Sequence, residues 1–127
     1  MPLMGPEFAH VIKACAMGSL TNAPKLTISK KHSACLVAAA HGYPESSRSG
    51  DIVSIQMQTN DSLQLFHAGT RCNKEGDLMT SGGRVLSVVA QGENFDEAFS
   101  SAYKGMKQIN FKGMIYRLDI GHQVRTF

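Results

Sequence analysis

One hundred and twenty-seven residues, 43% hydrophobic and 18% charged, make an ordinary globular balance and suffice for one domain with a core of its own. The net charge is +3, with lysines and arginines scattered rather than in runs, which argues against nucleic acid but leaves room for a small anion. No apolar run reaches transmembrane length, so no membrane partner is expected.

Residues 6–20 read as a helix, since Phe8, Val11, Ile12 and Cys15 share one apolar face. Pro6 suits the first helical position, Glu7 complements the helix dipole, and Gly18 and Ser19 weaken the end. After the loop "TNAPK", the run "SACLVAAA" (33–40) predicts a buried strand, although its alanines suit a helix equally. "HGYPESSRSGD" (41–51) is a polar loop rich in turn residues, and "IVSIQ" alternates as a second strand. "LQLFHAG" (63–69) predicts a third strand that ends at Gly69, and "RCNKEGD" holds a turn near Glu75-Gly76.

"LMT" and "RVLSVVA" flank Ser81-Gly82-Gly83 and predict a hairpin, because glycine tolerates the positive φ of a tight turn. Asn94 to Ile109 predicts a second helix. Asn94 with Glu97 forms a capping box, and Phe95, Ala98, Phe99, Ala102, Met106 and Ile109 form one stripe. "FKGMIYRLDIG" follows as a last strand with an irregular tail. Strands joined by short hairpins, with helices on one face, make the expected class α+β, mainly an antiparallel sheet.

The chemistry of the residues is sparse. There is no phosphate-binding Walker loop, zinc spacing or nucleophile elbow, so no catalytic or metal-binding residue is assigned. Cys15, Cys35 and Cys72 are an odd number without metal spacing, which fits a reduced, cytoplasmic compartment. "MPLMGPEF" lacks the regions of a signal peptide. His41 and His67 can act as bases, and Cys72 beside Arg71 can be reactive, but structural histidines and an incidental thiol are the commoner case. "HGYPESSRSGD", "FHAGT" and "SGGRV" each place glycine amides beside a hydroxyl or a guanidinium, a setting for phosphate or carboxylate; any one alone reads as a turn. Arg117 and Asp119 can pair on the surface.

The order "GYP...S...GD", "FHAGT", "SGGRVLSVVA" and "FDEAFSSAYKGMKQINFKGMIYRLDIG" resembles phosphoribosylamine–glycine ligase (glycinamide ribonucleotide synthetase) over residues 1–121. The resemblance implies an ATP-dependent enzyme of purine biosynthesis. It joins glycine to phosphoribosylamine with ATP and magnesium, through a glycyl phosphate intermediate. It further implies that residues 1–22 close the ATP-grasp region and that 23–127 form the C-terminal domain, an antiparallel or barrel-like β-sheet with packed helices.

The family's magnesium ligands, on a stretch like "RFGDPE", and its ATP-binding lysine belong before Met1. No cofactor is therefore expected on this chain alone, and the chain by itself is expected to be inactive. The remainder of the ligase and a phosphoribosyl substrate are the expected partners. By the resemblance, the substrate-side residues are His67, Gly69 and Thr70 of "FHAGT" and Gly82, Gly83 and Arg84 of "GGR", with Arg84 as the anion contact. The family pattern "GYPGSYxKGD" is broken here by Glu45, Ser47 and Ser49. Arg48 restores the lysine's charge one residue early, while Glu45 adds negative charge, so the loop reads equally as a surface loop free to drift. A stand-alone, non-catalytic module that binds a phosphorylated sugar or a protein is the competing reading. As a segment of the ligase, the chain is expected to leave part of the first helix's apolar face exposed, where missing neighbours would pack.

Overall fold

The apolar run "RVLSVVAQG" forms the strand at the centre of the fold, and the reason lies in its composition. Val85, Leu86, Val88, Val89 and Ala90 are all buried, which requires apolar cover and partners on both edges. A computed structural model describes residues 2–124 and supplies both. Met1 and residues 125–127, the outer ends of the two predicted segments, lie outside the described residues.

In chain order the elements are helix α1 (Phe8–Ala16), a short 3-10 turn (Leu20–Asn22), β1 (His32–Ala39), β2 (Ser54–Ile55), β3 (Leu63–His67), β4 (Thr70–Cys72), β5 (Leu78–Thr80), β6 (Arg84–Gly92), helix α2 (Phe95–Met106) and β7 (Ile109–Asn110). β1, β6 and β3 form one sheet in that order, and β2–β7 and β4–β5 form two small ones. Every ladder is antiparallel. The expected α+β class, an antiparallel sheet carrying a packed helix, is the fold observed.

α2 lies on β6 and β1. Ala34, Leu36 and Ala38 of β1, Val88 and Ala90 of β6, and Ala98, Phe99, Ala102 and Met106 of α2 share one core cluster. The helix starts as its sequence dictates. Asn94 Oδ1 accepts the Glu97 N–H at 2.9 Å. The return leg of the box is shifted: Glu97 Oε2 accepts the N–H of Glu93, at 2.9 Å, one residue before the cap. α2 stops at Met106, short of the predicted end, because Ile109 is taken into β7, where it pairs with Ile55.

Three expectations need correction. The predicted hairpin across Ser81-Gly82-Gly83 does not form. β5 pairs with β4 (Thr70↔Thr80, Cys72↔Leu78), and its outer edge bonds residues 50–53 through Gly50 N–H to Thr80 O and Val53 N–H to Leu78 O, both 2.8 Å. β6 is flanked instead by β1 and β3, longer strands that give it a fuller ladder than the three residues of β5 could. "IVSIQ" contributes only the two residues of β2. "FKGMIYRLDIG" is not a strand: one bridge, Ala39↔Ile115, ties it to β1, and Gly113 turns it at φ +72°.

α1 is shorter than predicted, and Gly18 at φ +65° lies just beyond its end. None of its residues is buried, and Ile12 is 53% exposed, in line with the expected uncovered apolar face.

Candidate functional site

Two chain links cross at one end of the main sheet. Ala68 and Gly69 lead from β3 to β4, and Ser81, Gly82 and Gly83 lead from β5 to β6. They are bonded to each other: Gly69 N–H donates to Arg84 O at 2.8 Å, Ala68 N–H to Val85 O at 3.0 Å, and Ser81 N–H to Gly69 O at 2.7 Å. The glycines are needed for this crossing rather than for a left-handed turn. None of Gly69, Gly82 and Gly83 has a positive φ. A Cβ on Gly69 would stand 2.8 Å from Gly82 Cα and 2.8 Å from Arg84 O. One on Gly83 would meet the Tyr43 ring and stand 2.6 Å from Ser47 Oγ. The sequence therefore singles out the right glycines for a different reason.

The 41–51 loop is held against this crossing. Ala40 N–H donates to Gly83 O at 2.8 Å, and Arg48 N–H donates to His41 O at 3.1 Å. The Arg48 guanidinium turns inward and pairs with Asp51 at 2.9 Å. The Asp51 side chain is only 8% exposed, and its backbone N–H donates to Oγ1 of the fully buried Thr80 at 3.1 Å. The charge of Arg48 thus serves a buried carboxylate.

Arg84 stands otherwise. Its side chain is exposed, and among the described residues no carboxylate pairs with it. It borders a cleft of about 520 Å³ together with Gly83, Tyr43, Ser47, Ala68 and Ser87. The Gly82 and Gly83 amides have no protein acceptor among the described residues, whereas the Gly69 and Thr70 amides are spent on Arg84 O and Ala68 O. An unpaired guanidinium beside hydroxyls and free amides is suited to a phosphate or a carboxylate.

Of the residues predicted from sequence, Gly83 and Arg84 line this cleft, and Gly69 and Gly82 support it from behind. His67 and Thr70 are joined to each other, Nδ1 to Oγ1 at 3.1 Å, but do not line it. His41 and Cys72 do not line it either. Tyr43, Ser47 and Ser87 were missed. Tyr43 and Ser47 lie within "GYP...S", where a loop reading gives no hint of which side chains turn inward. A larger cavity of about 800 Å³, beside Pro2, Met4, Asn60, Gln64 and Phe66, has no lysine or arginine in its wall.

On the far side of Tyr43, Arg117 does pair with Asp119, through Nε to Oδ1 at 2.8 Å and Nη2 to Oδ2 at 2.6 Å. The bonds from Arg117 hold the Asp119 carboxyl down at about 2 and raise the guanidinium. The Tyr103 hydroxyl donates to Arg117 O and accepts the Ile120 N–H, both at 3.1 Å, fixing this segment to α2.

Comparison with known proteins gives a consistent result. The family "Phosphoribosylglycinamide synthetase, C domain" matches residues 33–123. A phosphoribosylamine–glycine ligase of Synechocystis is 41% identical over 97% of this chain and 29% of its own length. A bifunctional purine biosynthetic protein of Schizosaccharomyces pombe is 38% identical over 96% of this chain and 15% of its own length. In structure, the phosphoribosylamine–glycine ligase of Thermotoga maritima matches with a TM-score of 0.77 at 28% identity, over 90% of this chain and 27% of that one. The chain therefore spans less than a third of the length of the relatives it matches.

Proposed function

Because the chain belongs to the phosphoribosylglycinamide synthetase C-domain family, we propose that it is the C-terminal segment of a phosphoribosylamine–glycine ligase. That enzyme would join glycine to phosphoribosylamine in purine biosynthesis. Residues 1–22 would close the ATP-grasp region, and 23–127 would form the C-terminal unit. Among the described residues no helix is long and apolar enough to cross a membrane, and the three free cysteines suit a reduced cytoplasm.

The observation that carries the substrate role is Arg84, an unpaired guanidinium on a cleft that also offers Ser47 and the Gly83 backbone. Its part is to bind the phosphate of the phosphoribosyl substrate and orient the amine. A charge-assisted hydrogen bond of this kind contributes about 1.5–3 kcal/mol. Gly83 lets the phosphate approach the backbone, and Gly69 and Gly82 hold the crossing that presents Arg84. His67 and Thr70, bonded to each other, brace the link beside it. Arg48 acts through Asp51 by fixing the loop that carries Ser47.

ATP and magnesium would supply the activation of the glycine carboxyl in the whole enzyme. Among the described residues no three His, Cys, Asp or Glu side chains are grouped to hold a metal ion, so no step is assigned to a metal on this chain.

The test is a titration of the isotopically labelled chain with glycinamide ribonucleotide, followed by NMR beside an ATP control. Shifts at Gly82, Gly83 and Arg84, without shifts for ATP, are expected. No shift at millimolar ligand, in this chain and in a chimera bearing it on a full-length relative, would remove the substrate role.

A further inference from the structure

Arg84 borders two cavities. One is the cleft of about 520 Å³, where Ser47, Ser87 and the Gly83 backbone offer polar atoms. The other, of about 560 Å³, is walled by Cys35, Ala39, Ile115, Tyr116 and Ile120 together with Arg117. Val37, Tyr43 and Arg84 line both. The charge of Arg117 is taken up by Asp119, so among the described residues Arg84 is the uncompensated charge of the second cavity as well. The two spaces differ in what they accept beside an anion. Hydroxyls and an amide suit a polar group such as a sugar, whereas aliphatic and aromatic walls suit an apolar group of similar size.

Tyr43 stands where the two spaces meet. A Cβ on Gly83 would meet Cδ2 of the Tyr43 ring, so the missing side chain is what lets the ring settle on the backbone next to Arg84. The backbone that carries the ring is fixed. Tyr43 N–H donates to Ala40 O at 3.2 Å, Ser46 N–H donates to Gly42 O at 2.9 Å, and Gly42 turns the chain at φ +85°. The Tyr43 hydroxyl has no hydrogen-bond partner among the described residues, so packing places the ring, not its polar end. We propose that Tyr43 is a specificity-determining residue whose ring divides the polar cleft from the apolar cavity, an inference that rests on the reading of Arg84 as a phosphate contact. With the ring in place, an aromatic phosphate ester is poorly served from either side. Entering the cleft, it leaves its aromatic group among hydroxyls. Entering the apolar cavity, it reaches the guanidinium but not Ser47, Ser87 or the Gly83 amide. Arg84 is thereby reserved for phosphates carried on polar groups.

The test compares inorganic phosphate with naphthyl phosphate, each titrated into the isotopically labelled chain and followed by NMR. In the parent, both should shift Gly83 and Arg84, with affinities within about twofold of each other, and naphthyl phosphate should leave Tyr116 and Ile120 unmoved. Tyr43→Ala joins the two spaces. It should raise the ratio of naphthyl to inorganic phosphate affinity about tenfold or more and extend the shifts to Tyr116 and Ile120. Tyr43→Phe should keep the parental ratio, because the ring alone makes the wall. A parent that already prefers naphthyl phosphate by about tenfold, with Tyr116 and Ile120 shifting, would overturn the proposal without recourse to any variant. So would a Tyr43→Ala chain, folded by its own spectrum, whose ratio does not change. The phosphate reading is scored separately. Failure of either ligand to move Arg84 in the parent removes that reading and the partition with it, whereas a phosphate response with an unchanged ratio in Tyr43→Ala removes the partition alone.

Discussion

A Cβ added to Gly83 points into the Tyr43 ring, whereas one added to Gly69 points into the Gly82 and Arg84 backbone, at 2.8 Å from each. The two glycines are therefore constrained to different degrees. The Tyr43 ring is 38% exposed and can swing aside. The backbone behind Gly69 is held by the Gly69–Arg84 and Ser81–Gly69 hydrogen bonds and cannot. A Cβ on Gly82 meets only Gly69 Cα, at 3.4 Å. Alanine substitutions should rank accordingly: Gly69→Ala costs about 2–3 kcal/mol, Gly83→Ala about 1 kcal/mol, and Gly82→Ala is near neutral. Urea unfolding of the three variants checks the order. Gly83→Ala matching Gly69→Ala in cost would show that Tyr43 is pinned.

Two arginines in the same neighbourhood should behave in opposite ways. Arg84 has no partner among the described residues, so Arg84→Met should change stability by less than about 0.5 kcal/mol while abolishing the response to glycinamide ribonucleotide. Arg48→Ala strands Asp51, whose side chain is 8% exposed. Because Arg48 itself is half exposed, the cost should be about 1–2 kcal/mol, less than the roughly 3–5 kcal/mol of a fully buried pair. Asp51→Asn in the same chain should recover part of it. Equilibrium unfolding together with the ligand titration separates the two roles. A stability loss in Arg84→Met equal to that in Arg48→Ala would make Arg84 structural.

Local signals were legible in the sequence, and long-range ones were not. The strand over 84–92 and the helix after Asn94 declare themselves through an apolar run and a cap, each contained within a few residues. The pairing of β6 with β1 and β3, rather than with β5, depends on residues more than 45 positions away for β1 (Leu36↔Val88), and no local pattern encodes it. The glycines at 82 and 83 were legible as small residues. What makes them small is the approach of Tyr43, Ser47 and Gly69 from elsewhere in the chain. The loop reading of 41–51 likewise missed that Arg48 serves Asp51, because Asp51 is tied by its backbone N–H to Thr80, 29 positions along the chain. The stretch 111–121 has the composition of a strand, but Gly113 turns it and the Arg117–Asp119 pair closes it after one bridge.

The start of α2 offers a clean test of a local signal. Asn94 holds the Glu97 N–H, and Glu97 in turn holds the Glu93 N–H. Asn94→Ala should cost about 1 kcal/mol and Asn94→Ser much less, since serine caps as well as asparagine. Glu97→Ala should fall between them, because it releases a flanking N–H and leaves the cap itself in place. Thermal melts of the three variants decide it, and an Asn94→Ala protein as stable as the parent would mean that the packing of Phe99 and Ala102 alone sets the helix start.

The Arg117–Asp119 pair predicts an acid-side response at a known place. Its bonds lower the Asp119 carboxyl from the ordinary 3.8 to about 2. A depressed carboxyl stabilises the folded chain above the unfolded value, so the contribution is complete above pH 3.8 and is lost as the pH falls through about 2. Both groups lie at the surface, so salt should weaken the effect. In an NMR titration the Asp119 carboxyl carbon should show its midpoint near 2, and the Ile120 amide, held by the Tyr103 hydroxyl, should follow the same curve. Arg117→Met should return the midpoint toward 3.8. A parent midpoint already near 3.8, with the Ile120 amide showing no step near 2, would mean that the clamp is open in solution.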